Sequence, residues 1–227
     1  MMKLIKVLCL VGSLFGVVQP AYAGVVVGGT RVVYDGAKRE TSISVNNPEK
    51  VNPYLIQSWV DEDNLHSGKA PFIVTPPLFR LDAGQENILR IVYTGGQLPA
   101  DRESVFWLNI KSVPSSSEND NNQLLIAVKT RIKLFYRPVG LEGKAAAEAY
   151  KKLVFTQSEG NLIVSNPTAY HVSLYSLTVD GEEIEDAGMV APKSDFSWLL
   201  PNKHVTQVRW QAINDFGGVS QEVSLLL

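Results

Sequence analysis

The sequence predicts an all-β protein with two domains, the first of them a β-sandwich of the immunoglobulin type. Short segments of alternating apolar and polar residues fill most of the chain, and Gly, Pro and Asn separate them. This spacing is typical of antiparallel sandwiches. The pattern breaks at Pro138, and the one stretch of good helical composition follows. We therefore expect a first domain at 24–143 and a second at 144–227.

The expected strands of the first domain share two features. Each is rich in branched or aromatic residues, and most end close to a turn-forming residue. They are 25–34, 40–46, 54–61, 72–74, 78–81, 87–93 and 104–111.

Residues 144–152 predict a helical connector of one or two turns into the second domain. Strands then resume, and Asp180-Gly181 predicts a hairpin turn because both residue types tolerate positive φ. The expected strands are 153–156, 161–166, 171–179, 196–199, 205–213 and 219–227.

Residues 1–23 have the features of an export signal. Lys3 and Lys6 precede an apolar stretch at 8–18, and Ala21-Tyr22-Ala23 fits the small-x-small rule for cleavage. The apolar stretch is too short to span a bilayer, so we expect no membrane insertion. The only cysteine, Cys9, lies in this segment, so no disulfide is expected after cleavage.

The run at 123–137 extends for fifteen residues without Gly or Pro. Fully extended it would reach roughly 50 Å, which is long for one sandwich strand. Leu124, Ile126 and Val128 alternate with little charge among them, and such an edge aggregates when uncovered. The strand is either buried in its own fold or pairs with another chain.

Composition and motifs argue against several classes of function. The formal net charge is −2, whereas nucleic-acid binders are usually basic. His66, His171 and His204 lie far apart, without the spacing of zinc ligands. No nucleophile elbow or phosphate loop is present. We therefore expect no enzyme activity, no metal, no cofactor and no nucleic-acid partner.

Six short motifs, distributed in order over both halves, resemble the periplasmic chaperones of bacterial pilus assembly by the chaperone–usher route, the PapD-like family. They are TRVVYDG at 30–36, TPP at 75–77, LPADRES at 98–104, IKLFYRP at 132–138, NPTAY at 166–170 and INDFGG at 213–218. The resemblance implies two immunoglobulin-like sandwiches arranged as a boomerang with a cleft between them. It also implies a periplasmic location.

The resemblance implies a function without catalysis. The chaperone holds a pilus subunit that lacks its last strand, lends its own long strand, and delivers the subunit to an outer-membrane usher. Leu124, Ile126 and Val128 are then the side chains that enter the subunit groove. The alternative from the residues alone is that these three face the protein's own core. Without a client, we expect self-association or mobility to hide the strand.

Arg31 and Lys133 match family positions that grip the subunit's C-terminal carboxylate, and gripping the chain end would fix the register of the strand pair. Strict alternation places Lys133 on the opposite face from Ile126 and Val128. Either a bulge between Lys129 and Ile132 or a different orientation of the cleft wall must reconcile them.

Glu103, Arg137 and Asp215 match an ionic network that bridges the two domains in the family. The polar stretch at 114–122 is short, and its length is similar to that in the short-loop branch of the family, whose members usually build rod-like pili.

The competing hypothesis is a structural or adhesive immunoglobulin-like envelope protein without a subunit client. Such a protein would have no reason to place Arg31 and Lys133 beside a strand that it can lend.

Overall fold

The computed structural model describes residues 24–62, 70–116, 124–200 and 204–227. The predicted export signal at 1–23, His66 and most of the polar stretch at 114–122 lie outside these ranges. The first half of the chain contains nine strands among the described residues. They are β1 (Val26–Val27), β2 (Arg31–Asp35), β3 (Thr41–Asn46), β4 (Tyr54–Asp61), β5 (Phe72–Thr75), β6 (Leu78–Leu81), β7 (Glu86–Tyr93), β8 (Ser104–Pro114) and β9 (Val128–Arg137).

These strands form two sheets that pack face to face. One sheet has the order β1-β3-β7-β5 and the other the order β2-β9-β8-β4-β6. The residues that alternate inward are the branched and aromatic ones, and they form one continuous core between the sheets. Ile56, Leu89, Leu108 and Leu134 are fully buried in it. The predicted immunoglobulin-like sandwich is confirmed.

The predicted strand at 25–34 is two strands in different sheets. β1 pairs with β3, whereas β2 pairs with β9. The chain changes sheets at Gly28-Gly29, and a Cβ atom on Gly28 would lie 2.3 Å from Ser44 Oγ. The missing Cβ atom of Gly28 leaves room for the Ser44 side chain at this point. The prediction of one continuous strand was wrong, because its two halves pair in different sheets.

The long strand also starts later than predicted. Strand β9 begins at Val128, where it pairs with Ser112 of β8, and residues 124–127 precede it without strand structure. Continuing the antiparallel ladder would require pairing with Val113 and Pro114. Proline has no N–H group to donate, and this ends the ladder.

A short helical connector leads into the second half. Helix α1 (Gly143–Glu148) continues into a 3₁₀ helix (Ala149–Lys152), in agreement with the predicted helical stretch. Eight strands follow among the described residues. They are β10 (Val154–Ser158), β11 (Asn161–Asn166), β12 (Val172–Val179), β13 (Glu182–Glu183), β14 (Met189–Val190), β15 (Ser194–Leu199), β16 (Gln207–Ala212) and β17 (Val223–Leu226).

The second half is a separate sandwich with its own core. Its sheets have the orders β10-β11-β15 and β13-β12-β16-β17, and β14 also pairs with β12. Asp180 and Gly181 both have positive φ, 48° and 88°, and connect β12 to β13 in the predicted hairpin turn. The sequence did not predict β13 and β14, because two residues are too few for a periodic pattern. None of the helices among the described residues is long and apolar enough to cross a membrane.

Candidate functional site

Strand β9 has a partner along only part of one edge. Its pairing with β8 extends from Val128 to Tyr136. On the other edge, parallel pairing with β2 begins only at Arg31 opposite Lys133. Among the described residues, the edge from Val128 to Ile132 therefore has no strand beside it. Its backbone donors and acceptors can pair with an added strand.

The side chains predicted to enter a groove are exposed. Leu124 is 88 % exposed, Ile126 65 % and Val128 52 %. Ile132, which shares a face of β9 with Val128, is buried in the core of the first sandwich. The alternative in which all three of the predicted side chains face the protein's own core is therefore wrong.

No bulge in β9 brings Lys133 to the same face of the strand as the apolar side chains. The ladder between β8 and β9 is regular from Val128 to Tyr136, so Lys133 and Val128 lie on opposite faces of the strand. Lys133 points toward the second sandwich, where its Nζ donates a hydrogen bond to Ser173 Oγ at 3.4 Å. The ladder excludes the bulge, and the orientation of the cleft wall toward a bound carboxylate stays a prediction.

Arg31 and Lys133 lie side by side where the free edge ends. They are directly opposite each other in the parallel ladder. Arg31 Nη1 donates a hydrogen bond to the carbonyl oxygen of Ile213 at 3.0 Å, and its guanidinium lies 5.7 Å from the centre of the Phe135 ring. Among the described residues, neither cation has a carboxylate oxygen within salt-bridge distance. The pair can therefore accept an anion.

Burial weakens the charged form of both cations. The pKa of Arg31 is lowered by burial, although the charge of Asp215 partly opposes this shift. The pKa of Lys133 is lowered by burial and by the nearby charge of Arg31. A bound carboxylate would stabilise the charged forms of both side chains, since it supplies the opposite charge that burial leaves missing.

The two cations line an open pocket between the sandwiches. The first sandwich also contributes Trp107 and Arg131 to its wall, and the second contributes Tyr175 and Val219. The pocket thus combines positive charge with aromatic and aliphatic surface. This combination suits the end of a polypeptide chain, which carries a carboxylate and an adjacent side chain.

Glu103, Arg137 and Asp215 are in contact across the two sandwiches. Arg137 Nε donates to Glu103 Oε1 at 2.8 Å, and its Nη1 and Nη2 donate to the two carboxylate oxygens of Asp215 at 2.9 and 3.1 Å. Glu103 and Arg137 are buried and belong to the first sandwich, whereas Asp215 belongs to the second. A bidentate contact of this kind restricts orientation as well as distance.

His171 belongs to this network and was missed by sequence reasoning. Its backbone N–H donates to Glu103 Oε2 at 2.8 Å, and its ring Nδ1 lies 3.4 Å from the same oxygen. Glu103 in turn donates its own backbone N–H to the carbonyl oxygen of Ala169 at 2.9 Å. The one feature of the sequence that could have indicated this role is the position of His171 directly after the NPTAY motif.

The network favours the charged forms of Glu103 and Arg137. Burial disfavours the charge of Glu103, but hydrogen bonds from His171 and the charge of Arg137 outweigh it, so the Glu103 pKa is lowered. Burial also disfavours the charge of Arg137, and the contacts with Asp215 and Glu103 outweigh it, so the Arg137 pKa is raised.

The described residues contain no group of His, Cys, Asp and Glu able to hold a metal ion.

Two family models match the chain in tandem. Residues 24–142 match the pili and flagellar-assembly chaperones, PapD N-terminal domain, and residues 148–224 match the pili assembly chaperone PapD, C-terminal domain. The probable fimbrial chaperone LpfB of Escherichia coli O157:H7 is 45 % identical over 223 residues, which cover 96 % of this chain and 95 % of the relative. Chaperone protein FimC of Escherichia coli K12 is 38 % identical over 208 residues, covering 90 % and 85 %.

Solved structures agree with the sequence relatives. A chain from the complex of the Salmonella enterica SafA pilin with the SafB chaperone superposes with a TM-score of 0.80 at 36 % identity, covering 92 % of this chain and 99 % of that one. The Escherichia coli chaperone DraB superposes with a TM-score of 0.80 at 38 % identity, covering 89 % and 98 %. With both family models in order over nearly the whole described chain, this protein belongs to the PapD-like family of pilus-assembly chaperones.

Proposed function

We propose that this protein binds pilus subunits in the periplasm by lending them the free edge of β9, holds their C-terminal carboxylate with Arg31 and Lys133, and passes them to an outer-membrane usher. One observation carries the proposal: within the described part of the chain, the unpaired edge of β9 ends at two half-buried cations that have no carboxylate within salt-bridge distance. The family gives the chaperone role, and the mode of capture is our inference from this geometry.

The edge supplies two kinds of interaction. Main-chain hydrogen bonds from β9 would satisfy a subunit groove that lacks a strand, while alternate side chains would fill its apolar pockets. Leu124, Ile126 and Val128 are the groove-binding side chains. Each could contribute roughly 1.5–3 kcal/mol on full burial. Residues 124–127 would join β9 as strand when a client supplies the missing hydrogen-bond partners.

The position of the cations fixes the direction of the guest strand. Strand β2 runs parallel to β9 and begins at Arg31, so the guest would occupy the same edge of β9 ahead of β2. A guest whose last residue reaches Arg31 and Lys133 must run toward them, and its strand is therefore parallel to β9. Register follows from the chain end, because sliding the guest by two residues would remove its carboxylate from the cations.

Two further assignments belong to the proposal. The ionic network of Glu103, Arg137 and Asp215 holds the angle between an N-terminal domain at 24–143 and a C-terminal domain at 144–227. In the absence of a client, self-association covers the exposed apolar residues ahead of β9. An adhesive envelope protein without a client is the competing function, and it gives no role to an unneutralised cation pair at the end of a free edge.

Co-purification with a pilus subunit expressed in the same periplasm tests the proposal. We expect Arg31→Ala and Lys133→Ala to lower subunit binding at least about tenfold, since hydrogen bonds to charged groups contribute about 1.5–3 kcal/mol. Their far-UV circular dichroism should match the unmodified protein. Lys38→Ala and Arg39→Ala remove exposed cations from the same domain and serve as matched controls. Undiminished capture by either cleft variant would refute the carboxylate grip.

A further inference from the structure

A row of four side chains crosses the sheet of the first domain at the level of the cation pair. Asp61 of β4 lies opposite Trp107 of β8, Trp107 lies opposite Lys133 of β9, and Lys133 lies opposite Arg31 of β2. Residues in register on neighbouring strands lie on the same face of a sheet. Trp107 is therefore the immediate neighbour of the carboxylate-binding lysine.

Two cations lie close to the Trp107 ring. The guanidinium of Arg131 lies 4.1 Å from the centre of this ring, and Lys133 Nζ lies 6.0 Å from it. Asp61 holds Arg131 through an ion pair of 3.4 Å and accepts a hydrogen bond from Asn109 Nδ2 at 2.9 Å. The indole is thus stacked against a side chain that is itself held in place.

One cation of the pocket is neutralised by a carboxylate, and two are not. Arg131 is neutralised by Asp61, whereas Arg31 and Lys133 have no carboxylate within salt-bridge distance among the described residues. Across the pocket, Tyr175 of the second domain is 59 % exposed and Val219 is 44 % exposed. An apolar surface with aromatic groups on both sides therefore stands next to a site for a single carboxylate.

We propose that Trp107, held by Arg131 and Asp61, is a specificity-determining residue that selects clients whose last residue is large and apolar or aromatic. This inference rests on the proposed function, because the carboxylate grip is what brings the client's last residue into the pocket. Arg131 is a positioning residue that acts through Trp107.

The geometry of a terminal residue connects the carboxylate site at Lys133 with the apolar surface at Trp107. The side chain of a terminal residue is attached one bond away from its carboxyl carbon, so a carboxylate held at Lys133 places that side chain beside Trp107. Packing an aromatic or aliphatic side chain against the indole removes apolar surface from water. A glutamate in the same place would bring a second carboxylate against the negative face of the ring, which is unfavourable.

Synthetic peptides provide the test. The mature protein is titrated calorimetrically with peptides of alternating valine and threonine, carrying lysine at the amino end, that differ only in the last residue: phenylalanine, alanine or glutamate. A fourth peptide ends in phenylalanine amide. We expect the phenylalanine acid to bind about tenfold more tightly than the alanine or glutamate acids, and the amide to lose about tenfold or more.

Variants separate the roles of the residues. Trp107→Ala should reduce the preference for phenylalanine over alanine to within about twofold while keeping the difference between acid and amide. Trp107→Phe should restore part of the preference. Arg131→Met should give an intermediate ratio together with a changed indole fluorescence spectrum. Trp59→Ala removes a tryptophan from the same face of the sheet that does not line the pocket, and it should leave the ratio unchanged.

The outcomes distinguish this inference from the proposed function. If acid and amide bind equally to the unmodified protein, or if no peptide binds, the carboxylate grip fails and this inference fails with it. If the acid is preferred but phenylalanine and alanine ends bind alike, only the inference is refuted. An unchanged ratio in Trp107→Ala would refute it as well.

Discussion

Arg31 and Lys133, the proposed carboxylate-binding pair, carry charges that burial disfavours in the free protein. Both side chains are drawn out of water, and each lies close to the other's positive charge. The folded state lowers the Lys133 pKa, so between this value and the ordinary one the folded protein binds fewer protons than the unfolded chain. Stability therefore rises with pH across that window, which means that the lysine charge destabilises the unliganded fold.

Removing this charge should stabilise the free chaperone. We expect Lys133→Met to raise the free energy of unfolding by about 1 kcal/mol in urea titrations, because it removes a half-buried charge and its repulsion with Arg31. Lys129→Met replaces an exposed lysine of the same strand and should change stability by less than about 0.5 kcal/mol. A loss of stability in Lys133→Met would show that the lysine has a structural role.

Client binding should weaken at alkaline pH. The Lys133 pKa lies below the ordinary value of 10.5, so the lysine begins to lose its proton before that pH, and with the proton it loses its attraction for the carboxylate. Lys133→Arg stays charged and should keep its affinity over the same range. Calorimetric titration of both proteins checks this, with circular dichroism to verify folding. A parallel decline in both proteins would assign the effect to another group.

The sequence predicted the residues that lie in recognisable motifs and missed those that depend on spatial contact. Arg31, Lys133, Glu103, Arg137 and Asp215 all belong to motif segments. The partners of these residues come from other strands, as with Trp107 beside Lys133. Such contacts depend on strand register, which a single sequence does not determine.

At the level of elements, β9 changes character along its length. From Ile132 onward its inward side chains are part of the core of the first domain, whereas Val128 and the residues before it are exposed. Alternation and composition predicted the strand but not this division. The division depends on where β2 joins the sheet, and that follows from the change of sheets between β1 and β2.

A charge at Ile126, on the proposed groove-binding face, should separate binding from folding. We expect Ile126→Asp to lower subunit affinity at least about tenfold while changing the free energy of unfolding by less than about 0.5 kcal/mol, since the side chain is exposed in the free protein. Ile132→Asp, in contrast, would bury an unpaired charge in the core and should unfold the domain.

Leu125→Asp is the matched control for the proposed alternation of groove-binding side chains at 124–128. Leu125 is 50 % exposed and is adjacent to Ile126, but in an extended strand its side chain points to the other face. We expect it to have a clearly smaller effect on subunit affinity. Equal effects at 125 and 126 would mean that the segment does not bind as a strand.

At the scale of the whole molecule, Arg137 is the centre of an ionic network between the two domains. Arg137 contacts a buried glutamate of its own domain and an aspartate of the other. Arg137 is in contact with a carboxylate on each side, and each carboxylate is in contact with Arg137. Buried ions need such a partner of opposite charge. The network does not need to add net stability in order to fix the arrangement of the two domains.

Breaking the network should be costly. We expect Arg137→Ala to lower the free energy of unfolding by about 3–5 kcal/mol, because Glu103 would remain buried without its cation. The double variant Glu103→Gln with Arg137→Met should recover part of this loss, since no charge is then left unpaired. Guanidinium titrations measure both. A loss below about 1 kcal/mol in the single variant would mean that His171 alone satisfies the glutamate.

The structure of this chaperone in complex with a natural subunit tests the central claim most directly. We expect residues 124–132 to pair with the last strand of the subunit in parallel orientation, and its terminal carboxylate to lie about 2.7–2.9 Å from the nitrogen atoms of Arg31 and Lys133. A complex in which the subunit leaves this edge free, or places its chain end away from both cations, would contradict the account.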